Sequence, residues 1–290
     1  MFSGSMTALV TPFRDGGIDA AAFERLIDFQ IANGTSALVP CGSTGESATM
    51  THAEHAEAVR LAVKFANGRV PVIAGTGSNS TAEAIALTKA AKEAGAAAAL
   101  LISPYYNKPT QEGIYQHYKA IAAATAFPLI VYNIPGRTGS KIEATTIARL
   151  AALEHIIGLK EATGSLDEVQ EVIRLCGDAI EVYSGDDSLT LPVMAVGGVG
   201  VISVTANALP KKSADLTAAA LRGEWATARR LHYEMLPLTR ALFLETNPIP
   251  IKAAMAMMGY CRDEPRLPLL PMSDAPRAKL RAVMQQFGLV

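Results

Sequence analysis

The sequence predicts an α/β protein, specifically a (β/α)8 TIM barrel with a C-terminal helical appendage. Short apolar or β-branched segments recur at fairly regular spacing, and alanine-rich amphipathic stretches separate them. The short segments are apolar at almost every position, which is typical of parallel strands covered by helices on both sides. Eight such units are the number that closes a barrel, and a doubly wound open sheet is the alternative.

The individual elements follow from these patterns in chain order. The predicted strands are residues 6–11, 36–40, 70–75, 98–103, 129–133, 156–161, 180–185 and 200–204. The stretches AAFERLIDFQIANG, THAEHAEAVRLAVKFANG and TAEAIALTKAAKEAG each begin near a capping threonine or acid and end at glycine, which indicates helices. After about Asn207 the alternation stops. We therefore predict a catalytic barrel over 1–224 and a C-terminal helical region over 225–290.

Composition narrows the class of protein. Lysine and arginine number 26 against 27 acidic residues, so no basic excess favours binding to nucleic acid. The three cysteines lie far apart without CxxC spacing, which fits a reducing compartment better than a disulfide framework. The first residues, MFSGSMTALVTPF, show no export signal, and no segment is apolar enough to span a membrane. We expect a cytoplasmic protein with no membrane partner.

Polar residues follow or end several of the predicted strands. In a (β/α)8 barrel the carboxyl ends of the strands and the loops after them form the active face. We therefore expect these side chains to converge at one mouth of the barrel. They are Ser43, Thr44, Tyr105, Tyr106, Tyr132, Asn133, Lys160, Asp186 and Asp187.

Lys160 is the foremost candidate because it lies in the buried strand IIGLKE. Burial disfavours the charged form of a lysine, and the neutral amine can attack a carbonyl to form a Schiff base. A structural ion pair with Glu161 is the alternative. Neighbouring residues of a strand point to opposite faces, so that pair is disfavoured and Glu161 is expected to point away.

Tyr132 ends the strand before that of Lys160 in the chain. Neighbouring parallel strands lie about 4.8 Å apart, so the phenol can approach the lysine amine and transfer protons. A tyrosine at this position can equally be a packing residue with a solvated hydroxyl. Spacing alone leaves both interpretations open.

Two loops have the chemistry of anion binding. In GSTGES, glycines flank Ser43 and Thr44 and allow a tight turn that presents N–H groups and hydroxyls to a carboxylate. In IPGRTG, Arg137 follows the fifth strand, and a guanidinium suits bidentate binding of a carboxylate. These loops favour a substrate that carries carboxylate groups.

Metal binding is weakly supported. His52 and His55 share a helix face without a third ligand or an HExxH motif. Asp186 and Asp187 could hold Mg²⁺, although such a pair more often caps the following helix. A metal-dependent barrel enzyme and a non-catalytic amino-acid-binding protein remain alternatives from another functional class.

Taken together, the motifs resemble the pyruvate-dependent class I aldolase and N-acetylneuraminate lyase family over essentially the whole chain. The matching motifs are TPF, GSTGESAT, VIAGTGSN, SPYYNKPTQEG, YNIPGRTG, GLKEATG, SGDD, GVISVTAN and NPIPIK. Within this family the chain is similar to the branch that serves lysine and diaminopimelate biosynthesis. The resemblance implies a lyase that joins pyruvate to L-aspartate 4-semialdehyde through an imine on Lys160, without a further cofactor.

The resemblance also implies roles for other residues. Tyr132 would move protons in a relay with Thr44 and Tyr106, and Tyr106 would come from a second subunit, so we expect an oligomer, specifically a homotetramer. Arg137 would bind the carboxylate of the semialdehyde. The cradle at Ser43 and Thr44 would hold the pyruvate carboxylate.

The strand-eight residue Ile202 would contact pyruvate through its backbone, again by resemblance. Position 43 is serine where the synthase branch usually has threonine, and GSTGE also occurs in lyases of sialic acid and of 2-keto-3-deoxy sugar acids. A lyase of this kind is therefore the alternative function. Arg137 favours the synthase, because the sialic acid lyases lack that arginine.

Members of the branch that are inhibited by L-lysine carry an allosteric site, and the resemblance places a corresponding set of residues in this chain. Glu83 suits an ammonium ligand, and His55 indicates the inhibited type. The residues are Ser47, Ala48, His52, His55, Asn79, Glu83 and Tyr105. We therefore expect L-lysine as a possible inhibitor.

Overall fold

A computed structural model describes residues 2–290 and shows eight parallel strands surrounded by helices. The barrel strands are β1 (Gly4–Ala8), β2 (Ala37–Val39), β3 (Ile73–Gly75), β4 (Ala98–Ile102), β5 (Leu129–Asn133), β6 (Ile156–Glu161), β7 (Glu181–Ser184) and β8 (Gly200–Ser203). Strands that follow each other in the chain pair side by side, except β2 and β3, and β1 also pairs with β8. The barrel prediction is confirmed.

The seam between β2 and β3 closes the barrel through one bridge pair, Leu38 with Val72. Two backbone bonds flank it, from the Leu38 N–H to the Pro71 carbonyl and from the Gly75 N–H to the Pro40 carbonyl. A Cβ at Gly75 would lie 2.2 Å from the Cys41 carbonyl oxygen, so only glycine permits this close approach. The seam is the least paired junction of the barrel.

The helices alternate with the strands and then continue alone to the end of the chain. They are α1 (Ala20–Ala32), α2 (His52–Ala66), α3 (Thr81–Glu93), α4 (Gln111–Thr125), α5 (Pro135–Thr138), α6 (Ala144–Ala151), α7 (Leu166–Cys176), α8 (Thr190–Ala195), α9 (Pro210–Leu221), α10 (Trp225–Ala241), α11 (Ile249–Met257) and α12 (Asp274–Gln286). None of these helices is long and apolar enough to cross a bilayer.

Local signals explain where the helices begin. Thr51 and Glu54 form a reciprocal capping box at the start of α2, and Asp19 caps α1. The helix α3 begins at Thr81, as the predicted stretch does, but its cap is Ser80, whose side chain accepts the Glu83 N–H. The predicted starts of α1 and α2 are also confirmed.

The predicted strands 129–133 and 156–161 are confirmed without shift. The first strand begins earlier than the predicted 6–11 and ends at Ala8. Beyond it, the Val10 N–H donates to the Asn207 side chain and the Thr11 hydroxyl donates to the Gly45 carbonyl. These residues therefore bond to loops at the barrel mouth and do not extend the sheet. A two-stranded hairpin, Phe13–Arg14 with Gly17–Ile18, follows and was not predicted.

Candidate active site

Lys160 and Tyr132 face each other inside the barrel wall. They are register partners on β6 and β5, and the Lys160 Nζ lies 4.2 Å from the centroid of the Tyr132 ring. The lysine is 5% exposed. The expected proximity of these two side chains is confirmed, and the contact has the geometry of a cation–π interaction when the amine is protonated.

Burial lowers the pKa of Lys160 to about 8. The negative charge of Asp187 opposes this shift, and the positive charge of Arg137 adds to it. Burial also raises the pKa of the Tyr132 phenol, so its hydroxyl keeps its proton at neutral pH. The site therefore combines an amine that is partly neutral near pH 8 with a phenol that can donate a proton.

We expect the rate of imine formation to follow the fraction of neutral Lys160. This fraction grows as the pH rises, so the rate should climb through pH 8, where about half of the amine is neutral, and level off near pH 9. An ordinary lysine with a pKa of 10.5 would give a rate that is still climbing above about pH 9. The measurement is the initial rate of borohydride trapping of pyruvate across this range, and continued increase above pH 9 would contradict the lowered pKa.

Glu161 lies on the opposite face of β6 from Lys160, as predicted. Its carboxylate accepts hydrogen bonds from the Asn133 side chain at 3.0 Å and from the Thr163 N–H at 2.6 Å. Burial raises the pKa of this carboxyl, and both hydrogen bonds oppose that shift. The structural ion pair between Glu161 and Lys160 is absent among the described residues.

The GSTGES segment forms a turn at the end of β2. The Gly45 N–H donates to the Gly42 carbonyl, while the N–H groups of Ser43 and Thr44 have no acceptor within residues 2–290. Thr44 is buried, and its hydroxyl accepts a hydrogen bond from the Asn247 side chain at 3.1 Å. This geometry leaves two backbone donors for an anion, as a carboxylate cradle requires.

Arg137 lies on the short helix α5 at the barrel mouth. Its guanidinium donates to the Asn247 carbonyl at 2.9 Å and leaves its other N–H groups available. The loop around it also holds the second tyrosine of the YY pair, because the Tyr106 N–H donates to the Thr138 carbonyl at 3.4 Å. Arg137 can therefore present a positive fork to a carboxylate in the mouth.

Ile202 and the two aspartates lie at the ends of β8 and β7. Ile202 is buried and belongs to the same hydrophobic cluster as Tyr132. Asp186 accepts the Ser188 N–H at 3.0 Å, which makes it a cap, as the favoured interpretation predicted. Asp187 accepts from the Ser203 hydroxyl and from the Val204 N–H at 2.9 Å, so it ties β7 to the end of β8.

One cavity of about 430 Å³ joins the catalytic mouth to the predicted regulatory residues. Its lining includes Ser43, Tyr132, Arg137 and Asn247 at the mouth, and Ser47, Ala48, His52, His55, Glu83 and Tyr105 farther out. In the outer part, Glu83 accepts hydrogen bonds from His52 and from Ser78, and these bonds lower its pKa. Asn79 donates to the Tyr105 carbonyl at 3.2 Å.

His55, one of the predicted regulatory residues, is buried. Its Nε2 donates to the Gly75 carbonyl at 2.7 Å, and burial lowers its pKa.

Tyr106, the residue predicted to complete the proton relay, is 88% exposed and adopts a φ of 69°, which is rare for an aromatic residue. No hydrogen bond joins Tyr132, Thr44 and Tyr106 among the described residues, so the relay remains a prediction.

Sequence reasoning missed two contributions from the C-terminal region. Asn247 joins Thr44 to Arg137 through its side chain and its carbonyl. Lys252 forms a buried ion pair with Glu46 of the cradle segment, with 2.5 Å between Nζ and Oε1. Both residues belong to NPIPIK, a motif that carried the resemblance but was given no role, because its distance in sequence from GSTGES hides the contact.

A barrel that buries a lysine of lowered pKa at the carboxyl end of a strand, near an arginine and free backbone N–H groups, is typical of a Schiff-base-forming enzyme. The Dihydrodipicolinate synthetase family model matches residues 1–287. A relative from Geobacter sulfurreducens, 4-hydroxy-tetrahydrodipicolinate synthase, is 56% identical over the full length of both chains. The chain belongs to the dihydrodipicolinate synthetase family.

Solved structures agree with this assignment. The chloride-inhibited dihydrodipicolinate synthase of Acinetobacter baumannii, complexed with pyruvate, has a TM-score of 0.98 and 45% identity with full coverage of both chains. The DHDPS of Cyanidioschyzon merolae with lysine bound has a TM-score of 0.96 and 40% identity, covering 100% of this chain and 99% of that one. These similarities support the predicted synthase branch and give no support to the sugar acid lyase alternative.

Proposed function

We propose that the protein condenses pyruvate with L-aspartate 4-semialdehyde to give 4-hydroxy-tetrahydrodipicolinate, in lysine and diaminopimelate biosynthesis. The observation that carries this proposal is the buried Lys160 amine, 4.2 Å from the centroid of the Tyr132 ring and with a pKa of about 8. The names of the relatives support the substrates, and the pyruvate complex of the A. baumannii enzyme supports the first of them.

The reaction requires the Lys160 amine in its neutral form. The amine attacks the keto carbon of pyruvate and water leaves, which gives an imine whose methyl group then loses a proton to form an enamine. The enamine carbon attacks the aldehyde carbon of the second substrate. Attack by the amino group of that substrate on the imine carbon closes the ring and releases Lys160.

The surrounding residues bind and orient the two acids. The N–H donors of Ser43 and Thr44 would receive the pyruvate carboxylate, beside the Ile202 backbone, and Arg137 would bind the carboxylate of the semialdehyde. The Tyr132 hydroxyl retains its proton because burial raises its pKa, so it can donate to the developing alkoxide and recover a proton later. No cofactor is required for these steps.

The experiment that tests the function supplies the purified protein with pyruvate and aspartate 4-semialdehyde, separately and together. We expect pyruvate to be consumed only when both are present, and borohydride with pyruvate alone to leave an adduct on the Lys160 peptide. Release of pyruvate from N-acetylneuraminate or from a 2-keto-3-deoxy sugar acid, without condensation, would contradict the synthase.

The proposal includes a homotetramer in the cytoplasm. Tyr106 supports an oligomer, because a mostly exposed aromatic side chain held at a positive φ is not explained by packing within this chain. In a second copy of the chain, its hydroxyl would complete the relay with Tyr132 and Thr44.

We further propose that L-lysine inhibits the enzyme by binding in the outer part of the cavity. Glu83 supplies a carboxylate for an ammonium group and is hydrogen-bonded to His52. Asn79 donates to the Tyr105 carbonyl. The same cavity is lined by Ser47, Ala48, His52, His55 and Tyr105. The C. merolae structure with lysine bound supports this regulation in the family.

Replacing Glu83 with glutamine is expected to weaken lysine inhibition by roughly 10-fold or more, because a charge-assisted hydrogen bond to the ammonium is lost. Activity without lysine should change little, because the proposed condensation uses no group of Glu83, whose hydrogen bonds go to His52 and Ser78. The measurement is a titration of activity with L-lysine, with Glu57→Gln on α2 as the matched control. No inhibition of the unaltered protein at millimolar lysine, about 4 kcal/mol of binding, would count against the site.

A further inference from the structure

A second pair of polar residues lies directly behind the catalytic pair. Asn133 and Glu161 follow Tyr132 and Lys160 on β5 and β6, and the strand register places them opposite each other. Because side chains alternate along a strand, this pair faces away from the barrel interior. Asn133 is 1% exposed and Glu161 is 3% exposed, and the reaction chemistry uses neither residue.

The Asn133 amide uses its donors and its acceptor on two partners. Its Nδ2 donates to Glu161 Oε2 at 3.0 Å and to the Ile142 carbonyl at 3.1 Å. Its Oδ1 accepts the Ile142 N–H at 3.0 Å. One side chain therefore holds together the two ends of segment 134–141 with two buried hydrogen bonds, and a third buried bond ties it to Glu161.

Segment 134–141, which we call the arginine loop, contains Arg137. The residue is exposed, and within residues 2–290 its guanidinium makes one hydrogen bond, to the Asn247 carbonyl. A long side chain with one such bond takes its position mainly from its backbone. The ends of the arginine loop therefore control where the positive fork lies, and displacements of about 1 Å can cost on the order of 100-fold in rate.

Glu161 fixes which way the Asn133 amide faces. The carboxylate is held by the Thr163 N–H on its other oxygen, so it presents an acceptor to Asn133. With two acceptors near it, Glu161 and the Ile142 carbonyl, the Asn133 NH2 group must point at both. An aspartate at position 133 would place a carboxylate against both acceptors, which is unfavourable for a buried group.

We propose that Asn133 and Glu161 are positioning residues that fix the arginine loop, and thereby set the binding of the second, carboxylate-bearing aldehyde substrate. The inference rests on the proposed function. It assigns to the residues next to Tyr132 and Lys160 a separate task on the outer face of the same two strands.

The test compares Asn133→Asp, Glu161→Gln and the double variant. Asn133→Asp should raise KM for aspartate semialdehyde by roughly 10-fold or more, with little change in KM for pyruvate and with the pyruvate adduct still formed on Lys160. Glu161→Gln should act in the same direction, because the glutamine amide has one acceptor oxygen for the two donors, Asn133 Nδ2 and the Thr163 N–H, that the carboxylate accepts. The double variant should recover part of the loss, because the new glutamine amide can donate to the new aspartate carboxylate and the Ile142 N–H still donates to it, although the Ile142 carbonyl still faces a carboxylate oxygen.

Controls separate positioning from general stability. Glu168→Gln changes a partly exposed carboxylate that contacts Lys141 at the end of the arginine loop, and it should leave both KM values within about twofold. Thermal unfolding is measured for every variant. The inference is overturned if both KM values rise together, if the double variant is no better than Asn133→Asp, or if Glu168→Gln acts like Glu161→Gln.

If Asn133→Asp does not fold, Glu161→Gln and its KM values decide the question alone. Failure of the proposed function gives a different result, since the unaltered protein would then make no product from pyruvate and aspartate semialdehyde. An active unaltered protein whose variants keep a normal KM for the semialdehyde would reject only the positioning role.

Discussion

Replacing Lys160 with methionine is expected to abolish the pyruvate adduct and to lower condensation by on the order of 1,000-fold or more. Without the amine no imine can form, and within residues 2–290 no other lysine is buried in the barrel interior beside Tyr132. The measurements are borohydride trapping with peptide mapping and the initial rate with both substrates. Adduct formation at an unchanged level in the variant would place the nucleophile elsewhere.

The same variant has a stability outcome that guards against misfolding as an explanation. Burial lowers the pKa of Lys160, so the charged amine destabilises the native state at neutral pH, and methionine removes that cost. We expect Lys160→Met to unfold at a temperature equal to or above that of the unaltered protein. Lys160→Arg should also be inactive, because a guanidinium keeps its proton and cannot act as the nucleophile.

Replacing Lys252 with methionine is expected to destabilise the protein by about 3–5 kcal/mol, the usual cost of leaving one member of a buried ion pair alone. The Lys252 and Glu46 side chains are 1% and 0% exposed. The Lys252 Nζ also lies 4.2 Å from the centroid of the Phe13 ring. Denaturant unfolding measures the loss.

Two comparisons test whether the effect comes from the isolated charge. Adding Glu46→Gln to Lys252→Met should recover part of the stability, because the uncompensated carboxylate is then removed. Lys212→Met breaks a half-exposed pair with Glu234 and should change stability little. Equal effects of Lys252→Met and Lys212→Met would contradict a special role for the buried pair.

The fold was predictable because its signals are local. The strands β5 and β6 are short apolar segments whose limits coincide with their sequence patterns, and the capping box of α2 is written in four consecutive residues. The predicted limits of the first strand were shifted toward its end because Val10 and Thr11 bond to residues that are distant in the sequence, Asn207 and Gly45. Tertiary contacts of this kind leave no periodic signal.

The active site was predictable only in part, for a related reason. Lys160 is conspicuous because a charge within an apolar strand needs an explanation, and its neighbour Tyr132 follows from the barrel geometry. Asn247 contacts both Thr44 and Arg137, but it lies in a region whose apolar pattern indicates only packed helices. A polar residue near a helix start is ordinary by itself, so its contacts become visible only in three dimensions.

The weakly paired seam between β2 and β3 affects how the barrel opens. Local opening begins where the fewest backbone bonds must break, and this junction has one bridge pair where β5 and β6 share five register pairs. The segment after β2 carries His52, and the segment after β3 carries Glu83. His52 and Glu83 are hydrogen-bonded to each other across this junction, and we expect a molecule that binds both residues to strengthen the link and slow amide hydrogen exchange along β2 and β3.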